Sequence, residues 1–285
     1  MAAPTSPMQG KICMVTGATS GIGLITARTL AQQGARVIVV GRDPERGATT
    51  VGRIVQETGN PRVDLLLADL SARAEVRRLA GEFQHRFARL DVLVNNAGAL
   101  FTRRHLSADG IEMTFALNHL GYFLLTNLLL DTLKASPPAR IVNVSSDAHR
   151  GARMNFSDLQ GERRYGGWRT YSQSKLANLL FTYELARRLE GTGVTANAMH
   201  PGFVATGFSR NNRGLFGLLM RVAQLTALSP EQGAETLIYL ATSPEVEGVT
   251  GRYFVKKRPV ESSMASYDRS AAQRLWQLSS ELTGL

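Results

Sequence analysis

The chain has one cysteine in 285 residues, Cys13, so no internal disulfide can form and the fold must be held by its core. Such usage fits a reducing compartment, and Cys13, set in an apolar run, reads as a small buried hydrophobe. Long apolar runs are missing as well. The most apolar stretch, Tyr122 to Leu130, is broken by Thr126 and Asn127 and falls short of the roughly 20 residues that span a bilayer. Met1 to Gly10 has no basic start followed by an apolar stretch, which argues against a cleaved leader or an N-terminal anchor. A soluble, cytoplasmic protein is expected. The five histidines show no metal-ligand spacing, so no metal is expected. Acidic residues are outnumbered, leaving a net charge of +10. The basic residues are scattered, in pairs such as Arg103-Arg104 and Arg187-Arg188, with no arginine-rich helix, so a solvated surface is expected and no nucleic-acid partner.

What is present is an alternation. β-rich apolar runs recur at Ile12 to Thr16, Arg36 to Val40, Val63 to Ala68, Asp91 to Val94, Arg140 to Val144, Val194 to Met199 and Arg252 to Val255, with helical patterns between them. Runs that are apolar on both alternations belong to strands buried on both faces. Interleaved with helices, they imply an α/β protein with a single Rossmann-type, doubly wound domain and a parallel sheet of about seven strands. With no linker or repeat to divide it, residues 1–285 read as one unit: a core over 10–206, a lid over 207–229, and C-terminal helices with the last strand over 230–285. The lid expectation comes from Leu215, Phe216, Leu218, Leu219 and Met220 lying beside Asn211, Asn212 and Arg213; an amphipathic helix packed on the domain, or a weak peripheral membrane contact, are other readings of that segment.

Between the first strand and first helix stands Thr16-Gly17-Ala18-Thr19-Ser20-Gly21-Ile22-Gly23. Three glycines at such a turn let the backbone approach a pyrophosphate and offer it the free amides of a helix start. Gly17, Thr19, Ser20, Gly21, Ile22 and Gly23 are therefore candidate cofactor contacts. At the end of the second strand, where an acid would hold the ribose hydroxyls of NAD, the chain has Gly41 and Arg42. Glycine leaves room for a 2′-phosphate and a guanidinium can pair with it, which favours NADP(H). Asp43, followed by Pro44, reads as a helix N-cap.

Tyr171 and Lys175 are four residues apart, with Leu176, Leu179, Leu180 and Tyr183 at helical spacing, so both sit on one face of a helix one turn apart. A phenol titrates near ~10, and work at neutral pH asks for a shift worth roughly 4 kcal/mol. An ammonium about 5 Å away, at an effective dielectric near 20, supplies about 3 kcal/mol of it.

The Gly-x-x-x-Gly-x-Gly turn, Asn95-Asn96-Ala97-Gly98 and Tyr171-x-x-x-Lys175 together resemble the short-chain dehydrogenase/reductase family. Asn118-His119-Leu120-Gly121, Asp158-Leu159-Gln160-Gly161, Ser174-Lys175-Leu176-Ala177-Asn178, His200-Pro201-Gly202 and the tail Ala272 to Ser279 look like its retinol dehydrogenase-like branch. The resemblance runs from about Gly10 to Leu285 and implies roles by position. Ser146, the second serine after the fifth strand, matches the catalytic serine, and Asn118 the residue holding a water chain to Lys175. Asp69 and Leu70 match the adenine contacts, though Asp69 alone could equally be a helix cap. Asn95, Ala97 and Gly98 match the turn along the cofactor, and Pro201, Gly202, Val204 and Thr206 the segment around the nicotinamide carboxamide. His119 reads as a packing residue. The 25-residue step from Ser146 to Tyr171 holds an insertion, Asp147 to Thr170, whose Phe156, Tyr165 and Trp168 would shape a substrate pocket.

The implied activity is an NADP(H)-dependent oxidoreductase that interconverts an apolar aldehyde or ketone and its alcohol. Hydride would move at the pro-S position, with Ser146, Tyr171, Lys175 and Asn118 as the site and Lys175 also holding the nicotinamide ribose. Family habit adds a homo-oligomer, paired through the helices carrying Asn118 and Tyr171. The rival is a non-catalytic dinucleotide-binding regulator or scaffold of the same fold; such proteins lose the tyrosine, lysine or serine, and this chain keeps all three.

Overall fold

The protein is seen in a computed structural model that describes residues 7–204 and 227–285. Strands β1 (Ile12–Thr16), β2 (Arg36–Gly41) and β3 (Val63–Leu67) alternate with helices α1 (Gly21–Gln32), α2 (Pro44–Thr58) and α3 (Arg73–Arg86). Then follow β4 (Val92–Asn95), α4 (Met113–Phe115), a π-helical turn (Ala116–Leu120), α5 (Gly121–Leu128), α6 (Leu130–Lys134) and β5 (Ala139–Val144). A 3-10 turn (Asp147–Gly151), α7 (Gly167–Arg188), β6 (Val194–His200), α8 (Pro230–Thr242), β7 (Tyr253–Val255), β8 (Arg258–Val260) and α9 (Arg269–Thr283) complete it. Gly34, at φ 88°, turns the chain out of α1 and into β2.

The sheet order is β3-β2-β1-β4-β5-β6-β7-β8. β1 pairs in parallel with β2 on one side and β4 on the other, Val15 lying opposite both Val39 and Val94. The winding therefore reverses between β1 and β4, and a crevice opens beyond their C-terminal ends. Side chains alternate across the sheet: Met14, Ile38 and Leu93 face a core with Phe83, Phe123 and Phe181. Cys13, Val15 and Val39 face another with Ile22, Leu30 and Leu237. That two-sided burial is why these strands carry no polar alternation.

Among the described residues the sheet has eight strands where about seven were expected. β8 adds antiparallel to β7 through a two-residue turn in which Lys256 (φ 50°) and Lys257 (φ 64°) both take positive φ. Asn or Gly normally marks such a turn, and a lysine pair gives no such signal; Pro259 then suits an edge strand. The expected lid lies largely outside the described residues, which resume at 227. Where they resume, Leu228 donates its amide to the Phe203 carbonyl at 2.8 Å.

Helix α9 lies over α7 and α5. The Trp276 ring stands edge-on to Phe123 at 5.0 Å, contacts Phe181 at 5.7 Å and lies 4.0 Å under the Arg188 guanidinium. Beneath it, Nε2 of the buried His119 lies 2.9 Å from Ser279 Oγ, in agreement with a packing role. Burial pushes this imidazole down to about 4, so it is neutral at pH 7. Any pairing of two copies through this face involves α9. No helix among the described residues is long and apolar enough to cross a membrane. Replacing Trp276 by Ala is expected to cost about 2–3 kcal/mol, below the range for a fully enclosed tryptophan because the ring is only partly buried. Chemical denaturation measures it.

Candidate active site

β1 ends at the glycine turn, and the turn is held from β4. Asn96 donates Nδ2 to the Thr16 carbonyl at 2.8 Å, and Thr16 Oγ1 accepts the backbone amides of Asn96 (2.8 Å) and Ala97 (3.1 Å). A Cβ on Gly17 would lie 2.8 Å from Ala97 Cα, and one on Gly23 2.5 Å from the Gly17 carbonyl oxygen. These two glycines are required by close packing inside the turn. Gly21 opens α1 at φ 54°, and Ser20 precedes it as an N-cap whose side chain makes no capping bond. The first turn of α1 carries no acidic residue. Its amides and dipole are thus arranged to receive an anion, which fits a dinucleotide pyrophosphate.

At the end of β2, Arg42 is exposed and Asp43 accepts the Arg46 amide at 3.0 Å, so its carboxylate caps α2 as expected. The space over Gly41 is not left open: the Thr19 γ-methyl sits 2.7 Å from where a Cβ would be. Arg46 was missed by the sequence reading. Its Nε donates to the Thr19 carbonyl at 3.3 Å, and it lines a surface cavity of about 450 Å³ with Thr19, Asp43 and Arg53. Helical spacing from the Asp43 cap was the signal that could have found it, since the third residue of a capped helix returns over the cap.

Of the other expected cofactor residues, Asp69 accepts the amide and hydroxyl of Ser71 at 2.9 and 2.7 Å in a turn ahead of α3, and Leu70 packs against Gly121. The structure does not bring the Asn95 side chain to the crevice. It is fully buried and donates to Thr126 Oγ1 (2.9 Å) and Asn143 Oδ1 (2.8 Å), because the last residue of a strand points opposite to the next one. Asn96, quoted within that motif but not singled out, holds the turn instead. Pro201 and Gly202 leave β6, while Val204 and Ile22 meet over Gly233 of α8, where a Cβ would come 2.5 and 2.9 Å from their methyls. Thr206 lies outside the described residues.

The four expected catalytic residues come together. The Ser146 hydroxyl lies within reach of the Tyr171 phenol. Ser146 Oγ also accepts the Ala148 amide at 3.2 Å. Lys175 Nζ donates to the Val144 carbonyl at 3.0 Å and lies 5.6 Å from the Tyr171 ring centre and 5.9 Å from that of Tyr122. Asn118 sits in the π-helical turn, a frequent device at functional sites. Its carboxamide bonds Ala99 in both directions (2.9 and 3.0 Å) and donates to Ser174 Oγ at 3.0 Å, and Ser174 in turn donates to the Tyr171 carbonyl at 2.7 Å. A Cβ on Gly98 would lie 3.1 Å from Asn118 Oδ1 and 3.6 Å from Lys175 Nζ, so the glycine leaves room for both side chains.

Burial governs the electrostatics. It pushes the Tyr171 phenol well above its usual value, opposed by the Ser146 hydroxyl, and pushes the Lys175 ammonium down to about 7. The expected help from lysine to phenol is thus weakened by the dryness that surrounds both. Of the insertion's aromatics, only Trp168 stands beside the site, 57% exposed and 5.7 Å from the Tyr171 ring. Tyr165 is an anchor, donating to the Phe101 carbonyl at 2.8 Å, and Phe156 lies under Arg274, 4.5 Å from its guanidinium.

A glycine turn at a sheet reversal, facing a linked serine, tyrosine and lysine, agrees with what comparison finds: the family model for short chain dehydrogenase matches residues 11–214. The chain is a short chain dehydrogenase. It is retinol dehydrogenase-like, 44% identical over 276 residues to "Retinol dehydrogenase 12" of Mus musculus, covering 97% of this chain and 87% of that protein. An uncharacterized protein from Mycobacterium Paratuberculosis has the same fold at TM-score 0.78 and 35% identity, over 97% of this chain and 94% of its own. The Pseudomonas aeruginosa RhlG/NADP active-site complex is similar at TM-score 0.71 and 28% identity, over 93% and 100%. As a member of this family the dehydrogenase is an oxidoreductase acting between an alcohol and its carbonyl, with a nicotinamide dinucleotide.

The Lys175 shift has a direct consequence. In the free protein its Nζ should be charged below pH about 7 and neutral above it, against 10.5 for an ordinary lysine. Nitrogen-detected NMR titration, assigned with Lys175→Met, is expected to show that midpoint; a resonance still charged at pH 10 would contradict the burial.

Proposed function

We propose that this dehydrogenase is NADP(H)-dependent and interconverts an apolar aldehyde or ketone and its alcohol through Ser146, Tyr171, Lys175 and Asn118. The observation that carries the proposal is the convergence of the Ser146 hydroxyl and the Lys175 ammonium on the buried Tyr171 phenol. Two hydroxyls can hold a carbonyl oxygen and one of them can protonate it as the alkoxide forms. The bound dinucleotide supplies the hydride, at the pro-S position in the family this chain resembles. Lys175 holds the ribose hydroxyls, and its ammonium, given those partners, regains its proton and lowers the phenol. Asn118 positions Tyr171 through Ser174.

Gly17, Thr19, Ser20, Gly21, Ile22 and Gly23 receive the pyrophosphate. Asp69, Leu70, Ala97 and Gly98 flank the adenosine half, and Pro201, Gly202 and Val204, with Thr206, the nicotinamide. NADP(H) is favoured by two guanidinium groups, Arg42 and Arg46, at the end of β2, and by the engagement of the Asp43 carboxylate as a cap. An apolar substrate is favoured by the exposed Trp168 beside Tyr171. A reducing, cytoplasmic setting suits the buried, protonated thiol of Cys13.

The test is a panel of all-trans-retinal, decanal, benzaldehyde and cyclohexanone with NADPH and NADH side by side. NADPH should be consumed with at least one member, and Tyr171→Phe should lower the rate by a factor on the order of 10² to 10⁴. Arg42→Ala and Arg46→Ala should each reduce kcat/KM for NADPH about tenfold or more while leaving that for NADH nearly unchanged. No consumption of either dinucleotide with any member would contradict the proposal.

A further inference from the structure

His149 is fully buried three residues beyond Ser146, and both ring nitrogens are engaged. Nε2 lies 3.1 Å from the backbone nitrogen of Ser263, and Nδ1 lies 2.6 Å from the Ser146 carbonyl oxygen. A backbone amide can only donate, so Nε2 accepts, and the ring proton is on Nδ1, donated to Ser146. The His149 amide donates to the same carbonyl at 3.1 Å. One imidazole therefore ties the chain at Ser146 to a turn that lies 114 residues beyond His149, just past the β7–β8 hairpin. Two neighbours reinforce the tie: Arg150 Nη2 donates to the Glu261 carbonyl at 2.9 Å, and the Tyr253 hydroxyl donates to Asp147 Oδ1 at 2.9 Å. The Tyr253 ring also stands edge-on to the imidazole at 5.1 Å.

The place of this tie matters. The Ser145 amide is still held by the Met199 carbonyl at 2.8 Å, but β5 has ended, and Ser146 is the first residue beyond the ladder. Its hydroxyl reaches toward Tyr171 from an extended backbone, φ −165° and ψ 152°. A rotation of the Ser146 peptide would swing that hydroxyl away, and the His149 bonds to its carbonyl oppose such a rotation.

We propose that His149 is a positioning residue, a two-ended latch that fixes the Ser146 peptide against the C-terminal turn and so holds the serine hydroxyl in line with Tyr171. The proposal rests on the reading that Ser146 holds the substrate oxygen. Misplacing a reacting group by about 1 Å can cost on the order of 10²-fold in rate. The latch acts after binding, on the alignment of the oxygen, so kcat rather than cofactor affinity should carry the effect.

Four variants test it with NADPH and all-trans-retinal, alongside hydrogen exchange of residues 145–151 followed by mass spectrometry. His149→Phe keeps a ring and loses both bonds. His149→Asn keeps a donor near the Nδ1 position. Ser263→Pro removes the amide hydrogen together with the serine hydroxyl, at φ −70°, which suits proline. Ser146→Ala reports on the serine itself. Expected are a kcat at least tenfold lower in His149→Phe with KM and the NADPH dissociation constant within twofold, partial recovery in His149→Asn, and an intermediate loss in Ser263→Pro. Exchange across 145–151 should quicken in His149→Phe and Ser263→Pro and stay unchanged in β5. An inactive Ser146→Ala beside a His149→Phe within twofold of wild type overturns the latch, as do unchanged exchange or an equal loss in His149→Asn. An active Ser146→Ala removes the role given to the serine and the proposal with it, a failure of the site reading that exchange tells apart from a missing latch.

Discussion

An ammonium group that has been dried out and left against a phenol is the constraint on which the site depends. Lys175 is 3% exposed and Tyr171 7%, and Nζ has the Val144 carbonyl as its oxygen partner at 3.0 Å. Burial opposes the charge on each, lowering the lysine and raising the tyrosine. Helical spacing sets the two side by side, but spacing alone does not make them a working acid. That requires new oxygen partners for the ammonium, and the ribose of a bound dinucleotide would offer them.

The fold is arranged to make this possible. The sheet reverses its winding at β1 and β4, and the turn there is braced by Thr16 and Asn96. β5 and α7 are bound at the same level, Ser145 Oγ donating to the Lys175 carbonyl at 2.8 Å and Asn178 Nδ2 to the Val144 carbonyl at 3.2 Å. Ser146 and Lys175 are thereby fixed to one strand end, while Asn118 and Ser174 fix the backbone of Tyr171 from the opposite side. The remaining loose point is the peptide after β5, where the imidazole of His149 closes the gap to the C-terminal turn.

Much of this was legible from the residues because periodicity and short motifs report local geometry. The strands gave continuous apolar runs, Asp43-Pro44 gave a helix start, and the placement of Tyr171, Lys175, Ser146 and Asn118 followed from spacing and family resemblance. What stayed illegible depends on contacts distant in sequence or on turns without a signature. A lysine pair hides the hairpin to β8, and nothing in the sequence shows that the Thr19 methyl fills the space over Gly41. Asn95 and Asn96 are identical in type, and only the strand's alternation decides which one reaches the glycine turn. Tyr165, expected in the pocket, reaches Phe101 instead, a contact 64 residues back along the chain. The Nε2 partner of His149 lies in a segment that only the folded sheet brings near.

The central claim is that the buried pair is held out of action by dryness and brought into action when Lys175 gains partners. Ultraviolet difference titration of the Tyr171 phenol, isolated by subtracting Tyr171→Phe, with and without saturating NADP+, tests it most directly. The account predicts a midpoint above that of an ordinary tyrosine in the free protein and a marked fall toward neutrality in the complex. An ionisation already near neutral without the dinucleotide, or one that does not move when it binds, would contradict it.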